Sequence, residues 1–127
     1  MSGLAGLSAD ARSKTIGQNF RVRAWVNFKG DGTVAIRSSG NVSSITDNGT
    51  GNYTVNFTTA MEDGNYVVTT NQPPFTYTSG NRQHFIHVEG TSTYSASSVD
   101  LKTGSVAQGD GAGTAYDFPV MTIAIFR

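Results

Sequence analysis

At 127 residues the chain is of single-domain size, and a compact fold of this length buries roughly two-thirds of the surface its unfolded chain exposes. Charged residues make up only 14% and cancel to a formal net charge of zero, which gives nucleic-acid binding no electrostatic support. Cysteine is absent, so neither disulfides nor thiolate-bound zinc can hold the fold, and no stretch approaches the ~20 apolar residues of a membrane span.

Ser, Thr, Asn and Gly together supply 53 of the 127 residues, a polar and uncharged chemistry that suits strands and turns. The opening Met1-Ser-Gly-Leu-Ala-Gly-Leu-Ser8 lacks the basic start and long apolar run of a secretory signal, so a protein soluble when made is expected. Residues 1–19 differ from the rest: Gly3 and Gly6 loosen the start, and Ser8 to Lys14 offers at best a short helix capped by Ser8. Two readings compete for this segment, a disordered tail and an arm that orders on a neighbouring subunit. Leu4, Leu7 and Ile16, apolar in an otherwise unanchored stretch, favour the arm.

From Phe20 the pattern becomes strict alternation. Phe20, Val22, Ala24, Val26 and Phe28 form one strand face, and Arg21, Arg23, Trp25 and Asn27 the other. Lys29-Gly-Asp-Gly32 turns the chain back into Thr33 to Arg37, a hairpin. Strands follow over Val42 to Asp47 and Asn52 to Thr58, with Asn48-Gly49 in the turn between them, where positive φ is needed. Tyr53, Val55 and Phe57 make the dry face of that second strand. Asn65 to Asn71 is the next strand, after a Met61-Glu-Asp-Gly64 turn.

Pro73-Pro74 marks a sheet edge or a loop leading to Phe75 to Thr78. Strands over Gln83 to Glu89, Thr91 to Ser97 and Ser98 to Lys102 precede a flexible Gly104 to Gly113 connection. Val120 to Phe126 closes the chain, apolar on both sides as at the centre of a sheet. The spacing predicts an all-β, antiparallel β-sandwich, jelly-roll-like, over 20–127 with a short N-terminal arm over 1–19.

Chemistry-bearing patterns are few. His84 and His87 are three apart on a strand, so they point to opposite faces and cannot share a metal within one subunit; an ordinary half-buried histidine is the default. Glu62, Asp63, Asp31 and Asp110 lie in turn contexts, and no nucleophile elbow, phosphate loop or zinc-protease motif occurs. No catalytic residue, metal or cofactor is assigned. The Asn-x-Ser/Thr triplets at Asn41, Asn48, Asn52 and Asn56 are what Asn- and Thr-rich strands generate by chance. Trp25, beside Arg21 and Arg23, is either an interface aromatic or a residue buried against a second sheet under arginine stems.

Three stretches carry a family resemblance. Arg23-Ala-Trp-Val-Asn-Phe28, then Asp47-Asn-Gly-Thr-Gly-Asn-Tyr-Thr-Val-Asn-Phe-Thr-Thr-Ala-Met61, then Ile123-Ala-Ile-Phe-Arg127 resemble a module found near the ends of bacteriophage tail-fibre proteins. The likeness runs from Arg21 to Arg127, specific in wording in its first two pieces and alike only in character from Pro73 to Gly113. Some phage fibres bind ions through His-x-His triplets on a threefold axis; that spacing is absent here, and the site is not carried over.

The resemblance implies a non-enzymatic virion structural protein, a homotrimer on the exterior of a phage particle assembled in the host cytoplasm. Its partners would be itself, other tail or capsid proteins and host-surface glycan, with no nucleic acid or membrane. Two jobs compete. A tail-fibre tip would use aromatic and amide-rich loops on glycans, with Phe75, Tyr77, Arg82, Tyr94 and Tyr116 as contacts. A head-decoration, cement or head-fibre protein would grip the capsid through residues 1–19, with Leu4, Leu7, Ile16, Arg21, Arg23 and Trp25 at subunit or particle contacts. Family wording favours the tail fibre; the short lead before the module, with no stalk, favours decoration. A depolymerase is the weakest of the readings.

Overall fold

In a computed structural model, which describes residues 21–71, 82–88, 90, 94–107, 109 and 111–127, the alternating segments close into two antiparallel sheets packed as a sandwich. The strands are β1 (Val22–Lys29), β2 (Ala35–Gly40), β3 (Val42–Asp47), β4 (Asn52–Phe57), β5 (Val67–Thr70), β6 (Arg82–Val88), β7 (Ser98–Ala107), β8 (Thr114–Ala115) and β9 (Met121–Phe126). One sheet has the order β2-β1-β9-β5; the other runs β3-β4-β7-β6, with β8 added beside β7. The chain passes between the layers at β2–β3, β4–β5, β5–β6 and β8–β9.

The core is what the period-2 pattern dictates. Ala24, Val26 and Phe28 of β1 and Met121, Ile123 and Ile125 of β9 face Tyr53, Val55 and Phe57 of β4 and Val99 and Leu101 of β7, all buried. Phe28 and Tyr53 meet across the layers edge to face, with ring centroids 5.5 Å apart. Each such large side chain, fully removed from water, contributes roughly 1.5–3 kcal/mol before entropy is counted. β9 does lie inside its sheet, between β1 and β5, but only one of its sides faces the core. Thr122, Ala124 and Phe126 lie on the outer side, half-buried.

Asn41 alone joins β2 in one sheet to β3 in the other. It adopts a left-handed φ of 54°, the single non-glycine residue to do so among those described. Its side chain fills the corner: Nδ2 donates to the carbonyls of Arg23 and Thr59, each at 3.0 Å, and Oδ1 accepts from the Thr59 N–H at 2.7 Å. The opposite end of β1 is held by Tyr53, whose single hydroxyl proton is shared between the Gly30 carbonyl at 3.1 Å and the Asp117 carboxylate. Thr70 supplies a further tie between layers, its hydroxyl donating to the Ile86 carbonyl at 2.9 Å.

In four places the structure corrects the sequence reading. The β1–β9 register shifts between Val22 and Ala24, so Val22 leaves the core face and is 51% exposed. Thr91 to Ser97 is not a strand where it is described, since Tyr94 makes only an isolated bridge to Val99. β7 does not stop at Lys102 but runs on through Gly104, because the Phe85 ring lies where a side chain on Gly104 would be. The Gly104 to Gly113 connection consequently starts later, and the short β8 lies just beyond it. The turn between β3 and β4 takes its positive φ on Gly49 and Gly51, not on Asn48. The Phe75 to Thr78 strand and the 1–19 arm lie outside the described residues.

Replacing Asn41 tests the corner. Asn41→Ala loses three hydrogen bonds and keeps a β-carbon at left-handed φ without the amide that lets Asn tolerate it, and is expected to lower stability by about 2–3 kcal/mol. Asn41→Gly keeps the backbone freedom and should cost only about 1–2 kcal/mol. Urea denaturation midpoints of the two variants against the parent chain measure this order.

Candidate functional site

The two outer faces of the sandwich differ in chemistry, and the difference follows from which residues alternate with the core. On the five-stranded sheet the outward side chains of β3, β4 and β7 form a hydroxyl and amide lattice. Asn56 Nδ2 donates to Ser44 Oγ at 3.0 Å and Thr46 Oγ1 at 2.9 Å, and Thr54 donates to Asp100 at 2.6 Å while accepting from Asn48 at 2.8 Å. These polar groups largely satisfy one another. Phe85 and His87 stand beside this lattice on β6, ring centroids 5.1 Å apart.

The outward face of the four-stranded sheet is built from rows running across its strands. Val22 is paired with Phe126 and Phe126 with Val67; in the next row Gly40, Trp25, Ala124 and Thr69 are neighbours, followed by Ser38, Asn27 and Thr122. Val22, Trp25 and Val67 are 51%, 41% and 61% exposed. The Trp25 indole lies over Gly40, where a β-carbon would overlap it, so glycine there lets the ring lie flat on its neighbouring strand. Beside the indole a shallow trough of about 430 Å³ runs between β5 and β9, lined by Thr69, Asn71, Thr122 and Ala124 among others. Of the two readings for Trp25, the structure places it outside the core, 41% exposed. Arg23 sits at the register shift and turns its Nε to the Arg127 carbonyl at 2.9 Å, and Arg21 is exposed at the start of the described chain.

Of the glycan-contact residues that are described, Arg82 and Tyr116 border one stretch of β7, Thr103 to Ser105, and Tyr94 lies apart at its other end. Tyr94 packs on Tyr66 with centroids 5.3 Å apart, near the start of β7. Tyr116, 41% exposed, lies on Phe118 with centroids 5.2 Å apart, next to Thr103 farther along β7. Arg82 begins β6 and donates to Ser105 Oγ at 3.2 Å. Phe75, Tyr77, Leu4, Leu7 and Ile16 lie outside the described residues. His84 points inward, edge-on to Phe118 at 5.1 Å, while His87 is exposed on the other side of the strand. Among the described residues no group of three His, Cys, Asp or Glu could hold a metal ion.

The described carboxylates serve structural partners. Asp63 and Glu62 grip Arg127, Asp63 also accepts from the Asn65 N–H, and Asp47 accepts from the Gly49 N–H. Asp117 accepts from Tyr53 and from the Gly51 N–H at 2.7 Å. Arg127, Glu62, Arg23 and Asn41 line a recess of about 300 Å³ in which two arginines face one carboxylate. Burial, and the Asp117 carboxylate next, push the Tyr53 phenol far above the ordinary tyrosine value; burial pushes Tyr66 up to about 12. The hydrogen bond from Arg127, helped by the Asn65 N–H, holds the Asp63 carboxyl below the usual range.

Reading the sequence missed Val67 and Phe126 as surface residues. Consecutive valines in a four-residue strand were the available signal for Val67, since a strand can turn only one of two neighbours inward. Phe126 offered none, because its exposure depends on which strand becomes its neighbour. Comparison of the chain with protein-family models, curated proteins and solved structures finds no match.

Two pH responses follow. Because Tyr53 and Tyr66 favour the neutral phenol when folded, their stabilisation is complete below the ordinary tyrosine value of about 10 and is lost as pH rises through the folded values. Tyrosinate absorbance should therefore show a late-ionising component that Tyr53→Phe and Tyr66→Phe each reduce. At the acid end the Asp63–Arg127 pair stabilises above the usual carboxylate range and its contribution fades as pH falls through the lowered Asp63 value. Asp63→Asn should flatten that part of the urea-midpoint profile.

Proposed function

We propose that this protein is a non-enzymatic structural protein of a phage virion, a tail-fibre-type β-sandwich that assembles as a homotrimer and presents its loops to host-surface glycan. The observation that carries this reading is where the three resembling stretches fall. They are most of β1, the turn before β4 with β4 and the residues just after it, and the end of β9, and they come together in space: β1 and β9 are neighbours in one sheet, and Tyr53 and Phe28 join β4 to β1 across the core. The likeness thus lies on a contiguous scaffold and not on scattered loops, so it speaks to architecture and assembly more directly than to the receptor.

Two further features support a binding role. Glu62, Asp63 and Asp117 are occupied by Arg127, Tyr53 and backbone N–H groups and do not face each other across a groove as a glycosidase pair would. The exposed aromatic and aliphatic residues of the four-stranded sheet form a surface of the kind found at protein interfaces.

Fluorescently labelled protein incubated with a panel of bacteria, with and without residues 1–19, tests the reading. Saturable cell binding that survives the deletion, with no new reducing ends released from the bound cells' polysaccharide, is the expected result. Particle attachment lost on the deletion with no cell binding would transfer the protein to capsid decoration, and released reducing ends would make it a depolymerase.

A further inference from the structure

We infer that Asn48 is a site of spontaneous covalent modification, deamidation through an imide closed by the Gly49 backbone nitrogen, and that the folded turn gates it through hydrogen bonds to Thr54 and Asp47.

The chain offers one favoured place for this chemistry. Asn48 alone among its asparagines is followed by glycine; the others precede Phe, Val, Tyr, Gln or Arg, whose side chains crowd the backbone nitrogen that has to attack. Asn48 and Gly49 are both exposed in the loop between β3 and β4, and a β-carbon on Gly49 would meet nothing within 4 Å, so water reaches the reacting atoms. Gly49 has a φ of 122°, a conformation that side chains rarely adopt. The residue that shapes the turn is therefore the one that leaves this nitrogen bare.

The reaction needs water as its only co-reactant. The Gly49 nitrogen gives up its proton and bonds to Asn48 Cγ, the Cγ–Nδ2 bond breaks, and Nδ2 leaves as ammonia with that proton. Water then opens the imide at either carbonyl, giving aspartate or isoaspartate, in which the main chain runs through the former side chain. Nothing is oxidised or reduced.

In the folded turn both ends of the forming bond are engaged. Asn48 Nδ2 donates to Thr54 Oγ1 at 2.8 Å, and the Thr54 hydroxyl donates onward to Asp100 at 2.6 Å, a chain of bonds running from the turn across β4 to β7. The Gly49 N–H donates to Asp47 Oδ1 at 2.9 Å. That contact holds the proton on the nitrogen, since removing it would set an anion beside a carboxylate. The Asn48 N–H bonds the Asn52 carbonyl at 2.9 Å and the Asn52 N–H bonds the Gly49 carbonyl at 3.0 Å, which fixes the backbone on both sides of the reacting link. Ring closure has to take the carboxamide off Thr54 and the nitrogen off Asp47. Losing one neutral bond and one to a charged acceptor slows the reaction by at least about tenfold.

The product does not suit the place that Asn48 leaves. A carboxylate has no proton to give Thr54, whose own hydroxyl proton is directed at Asp100, and it adds a negative charge beside those of Asp47 and Asp100. Isoaspartate lengthens the turn by a backbone carbon and works against the pairing of Asp47 with Tyr53. Chains that fold promptly keep Asn48, and chains held open are marked by its loss.

The experiment incubates the full chain at mildly alkaline pH, folded and in guanidinium chloride, and follows isoaspartate and the amide-to-acid mass gain on the peptide that contains Asn48. Thr54→Val removes the accepting hydroxyl and Thr54→Ser keeps it; Asp47→Ala removes the other acceptor. Tyr66→Phe, which loses bonds to Ser95 and Ser98 away from the turn, controls for general destabilisation. The folded parent should react at least about tenfold more slowly than the unfolded parent. Thr54→Val and Asp47→Ala should each speed the folded reaction by about threefold or more with unfolded rates unchanged, while Thr54→Ser and Tyr66→Phe keep the parent's folded rate. Asn48→Asp, the product written into the chain, should unfold at lower denaturant.

Equal rates in the folded and unfolded parent overturn the gate, and no isoaspartate at Asn48 in either state overturns the site. Protection that survives both Thr54→Val and Asp47→Ala belongs to the sandwich as a whole and overturns the role of the two bonds. An Asn48→Asp chain as stable as the parent overturns the misfit of the product.

Discussion

The sandwich depends on one residue being able to turn a corner that most residues cannot. Between β2 and β3 the chain leaves one sheet and enters the other with Asn41 alone as the connection, at a φ that side chains other than those of Asn and Asp seldom adopt. Because the crossing is so short, the position of β2 fixes that of β3, and through β3 the register of β4. The Asn41 amide then ties the start of β1 to the end of β4, while Tyr53 ties the end of β1 back to the opposite layer. β1 is held to the other sheet at both ends, and the hydrophobic layer is enclosed between these ties.

With the layers fixed, the outward side chains are free to differ, and they do. On the five-stranded sheet Asn, Ser, Thr and Asp hydrogen-bond among themselves, which lowers their demand for an external partner. On the four-stranded sheet aliphatic and aromatic groups stand in rows with no such neighbours. Both sheets set an aromatic ring over a cross-strand glycine, Trp25 over Gly40 and Phe85 over Gly104. The ring shields backbone that glycine leaves bare, and each pair stiffens a strand that would otherwise be weak.

Much of this was open to reading before any coordinates. Tyr53, Val55 and Phe57 alternate with Asn and Thr so regularly that β4, its dry side and its turn with β3 could be placed from pattern alone, and the same holds for Ala24, Val26 and Phe28. What pattern could not supply was non-local. The register shift that expels Val22 arises where β1 meets β9, about a hundred residues later in the chain; β7 continues through Gly104 because Phe85 from another strand covers it. The candidate contacts were harder still. Tyr94 and Tyr116 both border β7, and only the fold reveals that they neighbour different stretches of it. The doubt over Trp25 was one of layers: alternation assigned it to the side opposite Val26 but could not say whether a second sheet lay there.

The adjacency of β1 and β9 also sets the order of events at the ribosome. β1 is translated about a hundred residues ahead of β9, and through that interval it lacks the neighbour that completes its hydrogen-bond ladder. A nascent chain can form the β1–β2 and β3–β4 hairpins promptly, but the central seam closes only once β9 has emerged. Such long-range closure makes for slow folding and a late, cooperative commitment to the native state. The apolar faces of incomplete chains are exposed throughout that interval, and a late amber codon would remove the strand on which closure depends.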